Sequence, residues 1–249
     1  MKLLADQFYE FLDRPIRKPA RVVLALLVIP LLLSFSAPLW NIHLEAAQYP
    51  KGLDLDVYSY KLEGGHDGKD IKEINTLNHY IGMAKIEPEM FIDLSWLPFA
   101  IGLLVILSLR TAAIGNVRML IDQAVIATYV SLFGFARFYI MMYRYGHELD
   151  PDAPFKIKPF TPVLFGTKQV ANFTTSSYPQ LGSYYVGVFV VGMFAVLIWH
   201  LVSGRKDATR KLGLSKSSRE SRDPAAASES APAASASLES PETNGSPAT

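Results

Sequence analysis

The sequence predicts an α-helical membrane protein with four transmembrane helices, a small extracytoplasmic α+β cap and a disordered cytoplasmic C-terminal tail. Three observations carry that prediction. Apolar residues gather into four runs near span length, although the whole chain has a mean hydropathy of only +0.18 and a net charge of +1. Lys and Arg collect beside alternate ends of those runs. Between the first run and the second, the apolar period switches from helical to two and back again.

Residues 1–21 form a cytoplasmic segment. Leu3, Leu4, Phe8, Phe11 and Leu12 fall at helical spacing and are followed by Arg14, Arg17, Lys18 and Arg21. Residues 22–40, from Val22 to Trp40, contain no charge and form the first span, long enough at about 1.5 Å per residue to cross a roughly 30 Å core. Pro30 should kink it. A cleaved signal peptide is the competing reading, disfavoured because the apolar run exceeds the usual ~7–15 residues of such a segment.

Residues 41–93 form an extracytoplasmic loop. Trp40, Ile42 and Leu44 alternate with Asn41, His43 and Glu45, and Leu53, Leu55 and Val57 alternate with Asp54, Asp56 and Tyr58. With Gln48-Tyr49-Pro50-Lys51-Gly52 between them, the two runs predict a β-hairpin with one wet face. A short amphipathic helix follows, from Ile71 to Ile81, with Asp70 offered as its N-cap and Gly82 as its end. Ile71, Ile74, Leu77 and Ile81 make its apolar stripe.

The second span is residues 94–109, with Trp96 as an interfacial anchor. A short loop with Arg110 and Arg118 leads to the third span, residues 124–142. Arg137 within it has two readings: a side chain snorkelling to the headgroups, or a partner for an acidic loop residue. Residues 143–182 form a second extracytoplasmic loop, dense in proline and expected to be extended. The fourth span is residues 184–202. Residues 203–249 form a basic flank and a disordered tail of Ala, Ser, Pro and Glu.

Sidedness follows from charge. The 41–93 loop holds ten acidic and five basic residues, while the basic clusters precede the first span, join the second to the third and follow the fourth. Both termini are therefore expected in the cytoplasm.

The composition excludes several chemistries. A nearly neutral chain without a basic stripe does not suit nucleic acid. With no cysteine there are no disulfides, thiolate metal sites or cysteine nucleophiles. There is no Gly-x-Ser-x-Gly, His-Glu-x-x-His, P-loop or Cys-x-x-Cys-His, so no catalytic residue is assigned and no enzyme is expected. Asp54 and Asp56 are accounted for by the wet face of a strand.

The stretch Asn75-Thr76-Leu77-Asn78-His79-Tyr80-Ile81-Gly82-Met83 is not explained by membrane rules alone. His79 and Met83 lie four apart and can share a helix face. Imidazole with thioether suits a soft ion, Cu(I) above all. The candidate metal site is His79, Met83 and His147, with Met141 or Met142 as further donors. The plainer reading is a surface histidine and a packing methionine.

The same stretch, taken with Tyr145-Gly146-His147-Glu148-Leu149-Asp150-Pro151, Ala153-Pro154, Gly166-Thr167-Lys168-Gln169, Asn172-Phe173, Gln48-Tyr49-Pro50 and Gly52-Leu53, resembles a group of poorly characterised bacterial multi-pass membrane proteins. Those proteins accompany nitrous oxide reductase (Nos) maturation and copper-handling genes. The likeness runs over roughly residues 20–205 and implies a setting, not a site. It points to the bacterial inner membrane, to denitrification and to copper as the ion handled.

The expected function is an integral membrane accessory protein that assists copper delivery or assembly of a nitrous oxide reductase-type periplasmic system, with the bilayer and other membrane proteins as partners. Two alternatives stand beside it. One is a structural subunit in which Asn78 and His79 hydrogen-bond the outer loops together. The other is a transport component, which Arg137 as the only intramembrane charge supports poorly.

Overall fold

The computed structural model describes residues 12–170 and 173–220, with side chains for 12–169 and 173–203. The chain divides into two units, residues 1–200 and 201–249. The first holds a small antiparallel sheet and a bundle of helices. Among the described residues, three helices are long and apolar enough to cross a membrane: Asp93–Ile114, Val117–His147 and Leu181–Ser203.

Over the first predicted span the helix is shorter and broken. Helix α1 (Lys18–Leu26) and helix α2 (Val28–Leu33) replace one helix over 22–40. Pro30 has no N–H to offer the carbonyl four residues earlier, which is that of Leu26, and the helix breaks at Leu27. The helical run then stops at Leu33, Ser34 and Ser36 return their hydroxyls to the carbonyls of Leu31 and Leu33, and Trp40 already belongs to a strand.

Strands β1 (Trp40–Ala46) and β2 (Tyr49–Val57) form the hairpin, paired from Trp40↔Val57 to Ala46↔Tyr49. The turn is tighter than the Gln48–Gly52 cluster suggests, because Tyr49 to Gly52 are already in the strand. Strand β3 (Leu62–Gly64) adds to β2. The proline-dense second loop contains strands that its sequence did not announce, β4 (Gly166–Val170) and β5 (Phe173–Pro179). β5 lies along the whole of β1, from Trp40↔Pro179 to Ala46↔Phe173. The sheet order is β3-β2-β1-β5-β4, so two segments distant in sequence share one sheet.

Helix α3 (Asp70–Ile81) packs on this sheet. Leu53, Leu55, Ile74 and Ile86 are the buried centre, with Ile42, Leu44, Ile71, Leu77, Phe91 and Tyr145 around them. Lys69, not Asp70, is the N-cap residue. The Asp70 carboxylate, 2% exposed, accepts the Asp54 backbone N–H at 2.9 Å and faces His66 Nδ1 at 2.9 Å. It ties the helix start to β2 in place of capping.

Helix α4 (Asp93–Ile114) extends beyond the predicted 94–109 at both ends, and α5 (Val117–His147) extends well beyond 124–142. Helix α6 (Leu181–Glu220) continues past the predicted 184–202 into the basic flank, where Lys, Arg, Ala and Leu favour helix. The Ala/Ser/Pro tail lies outside the described residues, as do Leu3, Leu4, Phe8 and Phe11.

The bundle core joins Ala20, Leu24 and Leu31 to Leu104 of α4, Leu120 and Ala127 of α5, and Phe189 and Met193 of α6. Polar bonds lock its end near the α4–α5 connection. Arg21 donates from Nε to the Ala112 carbonyl at 2.7 Å and from Nη2 to that of Ala113. These are carbonyls of the last turn of α4, which lack helical partners. Ile16 N–H bonds Gly115, and Val117 N–H bonds Arg14. Gln123 reaches Ser108 inside the core.

Candidate functional site

Most of the stretch 75–83 is accounted for by bonds that fold the chain after α3 back against it. Asn75 mimics a strand partner: its Oδ1 accepts the Ile86 N–H at 2.6 Å and its Nδ2 donates to the Ile86 carbonyl at 3.1 Å. Asn78, 5% exposed, donates to the Ala84 carbonyl at 3.2 Å. Thr76 bonds back to Lys72, and Leu77 is core. Tyr80 packs near Phe155, and the Phe155 N–H reaches the Tyr80 carbonyl at 2.9 Å.

Gly82 ends the helix with φ +79°. Its carbonyl accepts the Asp150 N–H at 2.8 Å, and a Cβ there would stand 2.9 Å from Ala153 Cβ. The two loops are therefore stitched at Gly82, through backbone. Gly146 does the same for α5: a Cβ would lie 1.9 Å from the Phe160 carbonyl oxygen, and the Phe160 N–H bonds the Gly146 carbonyl at 2.9 Å.

What these bonds leave over is His79 and Met83. His79 is exposed and makes only a tilted ring contact with Tyr80 among the described residues. His79 and Met83 line one shallow groove together with Glu148, Leu149 and Asp150. Arg144 holds the Glu148 carboxyl below its ordinary range through a hydrogen bond at 2.8 Å.

His147, the third predicted ligand, does not line that groove. Its Nδ1 donates to the Tyr143 carbonyl at 2.9 Å, and its ring stacks on that of Tyr143 at 3.8 Å. Among the described residues no group of three or more His, Asp or Glu is gathered to hold a metal.

Met83 has a second side. With Met141 and Met142 it lines a cavity of about 110 Å³ between the sheet, α3 and the end of α5. Leu44, Leu55, Ile74 and Phe91 form much of the remaining wall. Three thioethers thus border one apolar space, and Met83 stands between that space and the groove holding His79. The sequence showed methionines 141 and 142 as neighbours of the second loop. It did not show that the sheet closes over them.

The wet face of the sheet carries a separate cluster. His43 Nδ1 faces Asp54 Oδ1 at 2.8 Å, and Asn41 donates to Asp56 at 2.9 Å. Partial burial pushes the His43 pKa down, but the Asp54 hydrogen bond and charge, helped by Glu45, outweigh it and leave the group above its ordinary value.

Arg137 resolves to the second of its two readings. Its Nε and Nη2 meet the two oxygens of Asp93 at 3.0 and 3.2 Å, a bidentate pair that Trp96 Nε1 joins at 2.7 Å. The acid is in the first turn of α4, one residue before the predicted span. No family model matches this chain, and no curated protein or solved structure matches it either.

Proposed function

We propose that the chain is a four-span membrane accessory protein without chemistry of its own, with the α1–α2 segment as the first crossing and the sheet and α3 as an extracytoplasmic cap that handles Cu(I). The packing of α1 and α2 among α4, α5 and α6 supports the fourth crossing. The basic residues of the N-terminal segment and of the α4–α5 connection, which backbone N–H···O bonds tie together, support cytoplasmic termini in a bacterial inner membrane. One observation carries the copper reading: Met83 borders both the His79 groove and the cavity that holds Met141 and Met142. Thioether and imidazole are the donors a soft monovalent ion takes when no thiolate is present. The site is accordingly revised to Met83, Met141 and Met142, with His79 at its mouth and His147 outside it. Within the resemblance drawn from the sequence, the ion is cargo for a nitrous oxide reductase-type periplasmic system.

Titration of detergent-purified protein with Cu(I) against a coloured chelator tests this. About one ion should bind, with affinity falling at least tenfold in Met83→Leu and less in His79→Ala. Equal affinity in Met83→Leu, Met141→Leu and the parent would remove the reading. A structural subunit is the second proposal, favoured because Asn75, Asn78 and Gly82 are all engaged in holding the loops together. It predicts no uptake, but co-purification with membrane partners that is lost when residues 156–165 are deleted. A phosphatase fused after Glu87 should be active and one fused after Gly115 inactive.

A further inference from the structure

A second cavity, of about 270 Å³, lies below the sheet between helices. Leu94, Leu97, Ile101 and Leu104 form one face of α4, and Ser131, Gly134, Phe138 and Met141 form the facing side of α5. Both sets recur at three and four residues, so each is a stripe that ought to close on the other. Nearer the connection the helices do close, where Gln123 donates to Ser108 inside the core. At the sheet end they are joined by the Asp93–Arg137 pair and by Trp96 against Phe133 at 5.2 Å, and the stripes stand apart.

Trp40 forms the roof of this gap, its indole N–H bonded to Ser177 at 2.7 Å. Phe135, 47% exposed, stands at its side. Three of the helices around the gap are long and apolar enough to span a bilayer, and in a bilayer the medium beside Phe135 would be hydrocarbon. A space this size with so apolar a lining does not hold water well; apolar cavities stay dry and take up apolar guests. The guest present at that level is a lipid tail. Arg137 and Asp93 neutralise each other, so the recognition is of the chain and not of a charged headgroup.

We propose that this gap is a binding site for one acyl chain of a bilayer phospholipid, entering beside Phe135 and ending under Trp40. The reading does not rest on copper binding: neither His79 nor Met83 lines this gap, and of the three proposed thioether donors it meets Met141 alone.

Fluorescence of Trp40 tests it. The protein carrying Trp96→Phe and Trp199→Phe is reconstituted in vesicles of phosphatidylcholine brominated along one chain. Bromine should quench Trp40 strongly although the residue is 9% exposed. Gly134→Leu should cut that quenching at least twofold, because the position has room for a side chain, with its nearest neighbour Trp96 at 3.9 Å. Quenching unchanged by Gly134→Leu, or absent from the start, would overturn the site. Gentle-ionisation mass spectrometry of the unmodified chain supplies a second readout that needs no variant. One retained phospholipid is expected, and a bare chain under conditions that keep membrane proteins folded would equally overturn it.

Discussion

The two ends of the helix bundle are built from the same kinds of residue and packed in opposite ways. Near the α4–α5 connection, Ala20, Leu24 and Leu120 have no exposed surface, and Arg21, Ile16 and Val117 bond the N-terminal segment to the helix turn. At the sheet end, leucines, phenylalanines and methionines line two cavities that share Val57, Phe91 and Met141 as walls. The difference lies in what faces each helix. At the first end a helix faces helices, and ridges fill grooves. At the second, helices face a sheet whose strands come from two loops, and the surfaces do not mesh. An apolar stripe identifies a face that will be covered; it does not identify how completely.

That contrast can be broken most forcefully at Gly146. Gly146→Val should remove the tertiary structure of the sheet end, at a cost of about 4 kcal/mol or more, because the Phe160 carbonyl occupies the space. Limited proteolysis of residues 143–165, with the bundle still resistant, would show the two ends separating. Leu24→Ala should cost about 2–5 kcal/mol in denaturant unfolding, and Leu97→Ala, beside the gap, well under half of that. Equal costs would erase the distinction between packed and hollow ends.

Asp93→Asn leaves Arg137 without its partner and should destabilise by about 3 kcal/mol. Arg137→Met added to it should restore most of the loss, and a failure of that rescue would mean the pair also sets the helix spacing. Gly82→Ala should cost about 1–3 kcal/mol, from its positive φ and the nearness of Ala153.

The smallest expected effect is on pH. The pKa of His43 is raised above 6.5 in the folded protein, so its stabilisation is fully present below pH 6.5 and is lost as pH rises through the folded value. The sheet should therefore be stabler at pH 6 than at pH 8 by about 0.5 kcal/mol. His43→Asn should flatten that slope in thermal unfolding.

Periodicity and punctuation made the hairpin, α3 and the three long helices legible. Ile71, Ile74, Leu77 and Ile81 have the spacing of a buried stripe, and Gly82 marks the stop. The β4–β5 hairpin was hidden because Thr174, Thr175, Ser176 and Ser177 lack the apolar alternation that announces a strand. β5 is held by pairing with β1 on one side and β4 on the other, which a local reading cannot see. Pro30 announced a kink, but not that the helix would end by Leu33. For the candidate site, the sequence singled out His79 and Met83 by type and spacing. The partition of Met83 between groove and cavity depends on the long-range closure of the sheet over α5. Arg137 offered two readings because the choice rested on Asp93, which sits in another helix.

The pairing of β1 with β5 also constrains the order of manufacture. Trp40 is separated by 137 positions from Ser177, the residue that bonds its indole. At a synthesis rate of about 5–20 residues per second, β1 waits on the order of ten seconds for its neighbour. During that interval one edge of the hairpin has open backbone groups, and α4 and α5 emerge in between. An unpaired edge is a template for the wrong strand. Formation of the intervening helices is then a timing step for the sheet, and a chain stalled between α5 and β5 would expose the edge for as long as the stall lasts.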